Sequence, residues 1–295
     1  LIELTFASVF WGFGFIGTIW ALRFLSFPAV IFYRFIGAFL AGALLWLWTR
    51  PKWSELKHEL ELSRGAGFWL AVTLILQTWG LLSTTATKSA FITVLYVVFV
   101  PLLAAIFDRE KLSLRNTFCL TLALVGTGMI VNLEFSGLSN GDLLTLGNAL
   151  AAAFHIRVMG QLAPRSKNHY NFNLFQCFWT ALFTLPLLGL ELVNEHLFKG
   201  NWNLEAMDGK GWIGILSLTF GSSLLAFFLQ VRAQKKLSAT VAAILFLMES
   251  PFSAFFAVWL LGDVLSPVQV IGAAIIFISC LAASLPKKMA PGAHP

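Results

Sequence analysis

Apolar residues along this chain gather into ten runs, each close to the length of a bilayer crossing. By position the runs are 4–22, 28–48, 67–86, 89–107, 115–132, 142–162, 172–192, 212–231, 239–261 and 266–286. A helix needs about 20 apolar residues to span the hydrocarbon core. The pattern therefore predicts an all-α membrane protein with ten transmembrane helices. The longest polar connections, 49–66 and 193–211, follow the second and seventh runs, which divides the chain into five helices plus five. The expected organisation is a first five-helix repeat over 1–132, a linker over 133–141 and a second five-helix repeat over 142–286. A tail over 287–295 follows. The linker, Leu133 to Gly141, carries the Gly, Ser and Asn residues of a turn, and Asp142 suits the positive start of the sixth helix.

The fourth members of the two halves match. Leu112-Ser113 follows the fourth run and Leu265-Ser266 follows the ninth, while Pro101 and Pro251 hold corresponding places inside them. Five is odd, so the second half enters the membrane from the opposite side, giving two inverted repeats. Secondary transporters are commonly built this way, with the binding site near the midplane between the repeats. Pro28 and Pro267 open their helices, where a missing N–H costs little. Pro101 and Pro251 are interior, remove a backbone hydrogen bond each and should bend their helices. The inversion puts one weak point toward each face, so both are candidate gate hinges.

Composition agrees with the pattern. The 295 residues are 58% apolar and 12% charged, against about 25% charged in soluble domains, and the mean hydropathy is +0.80. No run of polar sequence is long enough for a soluble catalytic module. The first run lacks a basic lead-in and a small-residue cleavage site, so it is expected to be a span and not a signal peptide. Cys119, Cys177 and Cys280 each fall inside a predicted span, which suggests neither a disulfide framework nor a metal site.

The formal charge of +6 is explained by where the cations lie. With the N-terminus in the cytoplasm, most Lys and Arg fall on the cytoplasmic side, in clusters around Arg50–Arg64, Arg109–Arg115, Arg157–Lys167, Arg232–Lys236 and Lys287-Lys288. Arg23, Lys88, Lys199 and Lys210 fall on the other side, and Arg34 lies within a span. Retained cytoplasmic cations set orientation, which places both termini in the cytoplasm. The charge thus calls for no nucleic-acid partner.

Ionisable groups at membrane depth are costly and point to function. Glu249, in Leu247-Met248-Glu249-Ser250-Pro251, lies mid-span, and its readings are a proton-coupling or amine-binding carboxylate or a packing residue beside the kink. Arg34, six residues inside the second helix, either snorkels outward or holds a substrate carboxylate from a wet cavity. His155 shares a helical stripe with Asn148, Ala152 and Met159. Gln77, Gln176 and Gln230 add neutral hydrogen-bonding groups, and Trp11 and Tyr96 add aromatic ones. Gly12, Gly14, Gly17 and Gly37 suit close helix packing. Such a sparsely polar, aromatic cavity suits a zwitterion or small amphipathic metabolite better than a phosphate. There is no Walker sequence, no Gly-rich phosphate loop and no helical His-Glu-x-x-His, so no metal or cofactor is expected, nor an enzyme.

Several stretches resemble the ten-helix EamA-type permeases of the drug/metabolite transporter superfamily. These are Lys88-Ser89-Ala90-Phe91-Ile92-Thr93, Val100-Pro101-Leu102 and Arg109-Glu110-Lys111-Leu112-Ser113 in the first half. Leu237-Ser238-Ala239, Pro251 and Leu261-Gly262-Asp263-Val264-Leu265-Ser266 answer them in the second, and Phe10-Trp11-Gly12 and Tyr33-Arg34-Phe35 add to the likeness. The resemblance covers essentially the whole chain. It implies helices 1–4 and 6–9 around a central path, helices 5 and 10 peripheral, and export of amino acids or other small metabolites across a bacterial inner membrane. Asp263 stands where the first half has Glu110, and Glu249 answers to Phe99, so the carboxylate belongs to one half only. Small multidrug members use a glutamate within helix one, where this chain has only Glu3 near its start. The expected partners are a small-molecule substrate, membrane lipids and, as a candidate coupling ion, protons. The alternatives are a proton-coupled drug antiporter, a lipid scramblase or a structural subunit.

Overall fold

In the computed structural model the structure describes residues 2–84, 89, 92–109, 113–131, 139–194, 203–262 and 264–285. Linker residues 133–138, the tail 287–295, and Lys88, Glu110, Lys111, Leu112, Lys199 and Asp263 lie outside the described residues. The described chain is helical throughout: α1 (Ile2–Ala21), α2 (Phe27–Ala43), α3 (Trp46–Thr49), α4 (Trp53–Gly80), α5 (Tyr96–Asp108), α6 (Leu114–Val131) and α7 (Asn140–Leu162). There follow α8 (His169–Val193), α9 (Gly209–Leu216), a π-helical segment (Ser217–Ala226), α10 (Phe227–Gln234), α11 (Ala239–Phe246), α12 (Glu249–Leu261) and α13 (Pro267–Ser284). Among the described residues, seven helical stretches are long and apolar enough to cross a membrane, and Ile92–Asp108 is a shorter apolar helix.

Several boundaries depart from the sequence expectation, each for a physical reason. Residues 53–66, expected as a polar connection, are helical and continuous with the third run, giving a 28-residue α4. At 1.5 Å per residue that helix is about 42 Å long, more than a bilayer core. Its charged first half packs on the α7–α8 turn, where buried Glu59 accepts from the backbone N–H of Lys167 (2.7 Å) and Asn168 (3.0 Å). The second helix stops at Ala43, followed by the single turn α3. The sixth begins at Asn140, inside the expected linker, because Ser139 and Asp142 close a capping box.

The ninth run is two helices. Tight bonds from Leu247 N to Ile244 O and from Met248 N to Leu245 O interrupt it, and Glu249 starts α12. Pro251 therefore sits in the first turn of a new helix, where its missing N–H is tolerated. The fourth run breaks likewise at Leu95, with Val98 N bonded to Leu95 O at 3.0 Å, and Pro101 lies inside α5. In both runs the break precedes the proline, and the helix after it ends on a left-handed residue, Arg109 (φ 54°) or Gly262 (φ 77°).

The bundle has two ends. Phe27 stacks on Trp79 at 5.9 Å, Gly141 abuts Gly80, and Gly211 meets Phe24, so the start of α2, the end of α4, and the starts of α7 and α9 share one end. At the other end, Arg232 pairs with Glu3 (2.8 Å) and Arg157 makes a bidentate pair with Asp108 (2.7 Å on both arms), which Gln161 also holds. Helix α1 approaches the π segment through Gly14 and Gly17, whose added Cβ atoms would lie 2.8 and 2.9 Å from Ser222 and Ser217 hydroxyls. A side chain at either position would have to displace a serine hydroxyl, so glycine favours that approach. Helices α6 and α13 pack on each other, Gly126 against the Gly272 carbonyl.

Candidate functional site

A cavity with about 140 Å³ of space open to water lies in the half of the bundle toward the start of α2. Its walls come from Trp11–Thr18 of α1, Val30–Arg34 of α2, Leu70–Leu81 at the end of α4, Thr93 and Tyr96, Asn148–Ile156 of α7, Leu218–Gln230, and Phe246 with Glu249. None of the lining residues belongs to α6 or α13. The opposite end is packed shut by Ala66, Met159, Ala163, Phe172 and Val231, and by a larger apolar cluster around Val100, Leu103 and Ala242.

Seven of the eight predicted site residues meet here: Glu249, Arg34, His155, Gln77, Asn148, Trp11 and Tyr96. Gln176 stands behind the wall, fully buried, its Oε1 3.4 Å from His155 Nε2. It orients the imidazole and does not line the cavity. Pro101 and Pro251 are also absent from the wall.

Arg34 is only 7% exposed. Its Nε donates to Ser223 Oγ at 2.9 Å, and the guanidinium lies 4.9 Å from the Phe35 ring centroid. Among the described residues no carboxylate pairs with it, and its terminal nitrogens bond to none of them. That fork is matched to a carboxylate. The side chain is directed inward to the π segment and not outward along α2. Glu249 opens α12 because of the break at Leu247-Met248, so the carboxylate meets the positive end of a helix as well as the cavity. Among the described residues no ion pair or side-chain hydrogen bond engages it.

Around these two charges the wall is aromatic and sparsely polar. Trp11 lies 5.2 Å from both Phe227 and Phe246, and Phe227 is 6.0 Å from His155. Asn148 Nδ2 donates to Thr93 Oγ1 at 2.9 Å. Three buried polar atoms on lining residues have no partner among the described residues: Trp11 Nε1, Asn148 Oδ1 and Gln230 Oε1. An unpaired buried donor or acceptor costs about 1–3 kcal/mol.

Sequence reasoning missed the hydroxyl groups of the site, Thr18, Thr73, Thr78, Thr93 and Ser222 on the wall and Ser223 beneath Arg34. The signal available was Ser222-Ser223 set in an otherwise apolar run. The described residues hold no group of three His, Cys, Asp or Glu side chains arranged for a metal.

Seven described helical stretches long and apolar enough to cross a bilayer, with large apolar side chains exposed on the outside of the bundle, define a multi-pass membrane protein. The chain belongs to the EamA-like transporter family, whose profile matches residues 2–132 and 139–285. Similar proteins include two uncharacterized transporters of Archaeoglobus fulgidus. One is 28% identical over 209 residues, 71% of this chain and 64% of the relative, and the other is 25% identical over 244 residues, 82% and 85%. The chain thus spans less than two thirds of the first relative's length. A protein of known crystal structure superposes with a TM-score of 0.76 at 16% identity, covering 96% of this chain and 95% of that one, a likeness of fold alone.

Proposed function

We propose that this protein is a secondary carrier that exports amino acids or related small zwitterions across a bacterial inner membrane by alternating access. One observation carries the reading: Arg34 and Glu249, opposite in charge, line the same cavity and pair neither with each other nor with any other described charge. A zwitterion offers each a partner, its carboxylate to Arg34 and its ammonium to Glu249 beside the Trp11 and Phe246 rings. Apolar portions of the substrate rest on Ile31, Leu70, Leu74 and Phe227.

Ten spans in two inverted units, both termini cytoplasmic, make the cavity outward-facing and the ion pairs Glu3–Arg232 and Asp108–Arg157 an inner closure. Three features support the inversion. The tight bonds Val98–Leu95 and Met248–Leu245 sit at matching places. Both following helices end on left-handed residues. Helix α1 packs on the π segment and α12, as α7 packs on α4 and α5. In this reading Pro101 and Pro251 keep the breaks from re-forming as continuous helix.

A thermal-shift screen of amino acids and small metabolites, followed by counterflow of the hits in proteoliposomes, tests the proposal. Saturable exchange of a zwitterion, lost in Arg34→Gln, is expected. Exchange confined to anions or neutral sugars, or phospholipid scrambling in place of exchange, overturns it. The unpaired Glu249 also favours proton coupling, which an imposed pH gradient in the same vesicles separates from facilitated diffusion.

A further inference from the structure

A second, almost wholly apolar hollow of about 360 Å³ lies between α2 and the α9–π stretch, on the same half of the bundle. Tyr33 and Gly37 form one wall, and Trp212, Leu216, Thr219 and Phe220 the other. It shares no lining residue with the central cavity but lies back to back with it, since Arg34 and Leu218 face the other way from these same helices. Trp212, Leu216 and Phe220 are each about half exposed, so the hollow opens sideways. In a membrane that side is hydrocarbon. On the α9–π wall the lining runs from Trp212 to Phe220, at most about 12 Å of helix, which lies within one leaflet of a core about 30 Å thick. Its floor is the contact of Gly37 with Thr219, where an added Cβ would lie 3.2 Å from the threonine methyl. Above its mouth, Glu205, Asp208 and Lys210 are exposed, a rim of both signs within a few residues of the groove wall.

We propose that this groove is a binding site for one acyl chain of a phospholipid with a zwitterionic headgroup, phosphate toward Lys210 and amine toward Glu205 and Asp208. The apolar walls take the chain, the mixed-charge rim takes the headgroup, and the seated chain buttresses Gly37–Thr219, one turn from Arg34 on α2. The site depends on the helices standing in a bilayer and not on what the central cavity carries, so it survives or fails apart from the transport reading.

The test uses the full chain in nanodiscs doped with a phosphatidylethanolamine bearing a diazirine on its acyl chain, with cross-linked residues mapped by mass spectrometry. Labelling of Tyr33, Trp212, Leu216 and Phe220 is expected at least fivefold above that of Phe118 and Ile278, which are more exposed on the outside of the bundle. Leu216→Trp, which fills the groove, should remove most of that excess. Lys210→Gln, a surface change that leaves the fold intact, should halve it or more, and a phosphatidylglycerol probe should label less than the ethanolamine one. Uniform labelling around the belt or indifference to headgroup would each overturn the proposal.

Discussion

Arg34 reaches across from α2 to Ser223 in the π segment, Nε to Oγ at 2.9 Å. The serine is itself fixed from a third helix, since Asn173 Nδ2 donates to the carbonyls of Ser223 (3.3 Å) and Leu224 (2.9 Å), and Cys177 Sγ to Ser223 O (3.5 Å). The aim of the guanidinium therefore depends on α8, through a stretch of widened helix of the kind that marks functional sites. Hydrogen bonds to charged groups contribute about 1.5–3 kcal/mol. Ser223→Ala should thus weaken substrate binding by about tenfold or more, with little change in maximal exchange rate. Substrate titrations of the thermal shift, alongside counterflow, measure both, and an unchanged affinity would mean that Arg34 finds its aim without Ser223.

Glu249 has a different signature. A carboxylate that takes and releases a proton makes exchange depend on pH, and the amide isostere removes that dependence without removing the side chain's bulk. Glu249→Gln also removes the ammonium's partner, so it is expected to weaken substrate binding and to leave the remaining exchange flat with pH and without response to an imposed pH gradient. If rate and pH profile both survive the substitution, the coupling role is withdrawn, and the carboxylate serves as a packing residue at the start of α12.

Much of the site was legible in the chain because charge is expensive at membrane depth. Arg34, Glu249 and His155 stood out against apolar runs, and the described structure gathers them around one cavity. Gln176 misled because periodicity reports a face and not which of two layers a residue occupies, and it stands behind His155. The helix breaks were misplaced for a related reason. Pro101 and Pro251 show where a backbone bond must be missing, but the chain resolves the loss upstream, at Leu95 and at Leu247-Met248. Apolar Ser217–Ala226 reads as ordinary helix, and its π winding, packed against α1 at Gly14 and Gly17, leaves no mark in the hydrophobic pattern.

The closed end should be separable into its ties. Arg157 holds Asp108 through both Nε and a terminal nitrogen at 2.7 Å, with Gln161 on the same oxygen, and all three sit beside the seam between the halves. The pair is partly exposed (15% and 29%), so its contribution is about 1 kcal/mol. Asp108→Asn should accordingly shift the balance toward an inward-open state by roughly fivefold. The gain is readable as faster modification, from the cytoplasmic side, of a cysteine placed at Ala242. Equal rates in variant and parent would show that the apolar cluster around Val100 and Ala242 holds the closure alone.

Orientation has a direct test, which the native thiols do not obstruct. Cys119, Cys177 and Cys280 are 0–1% exposed, so polar maleimides should leave the parent protein unlabelled in intact membranes. Single cysteines at the exposed positions Lys57 and Lys235 lie at one end of the bundle and in different halves, whereas one at Lys210 lies at the other end. Cations held in cytoplasmic loops set the direction of insertion, so Lys57→Cys and Lys235→Cys should react only after permeabilisation and Lys210→Cys should react from outside. The reverse pattern would turn the cavity toward the cytoplasm, converting an outward-facing carrier into an inward-facing one and removing the assignment of Asp108–Arg157 as the inner closure. A split result, with Lys57 and Lys235 on opposite sides, would break the inverted arrangement itself, because the two halves could then no longer enclose one passage from contrary directions.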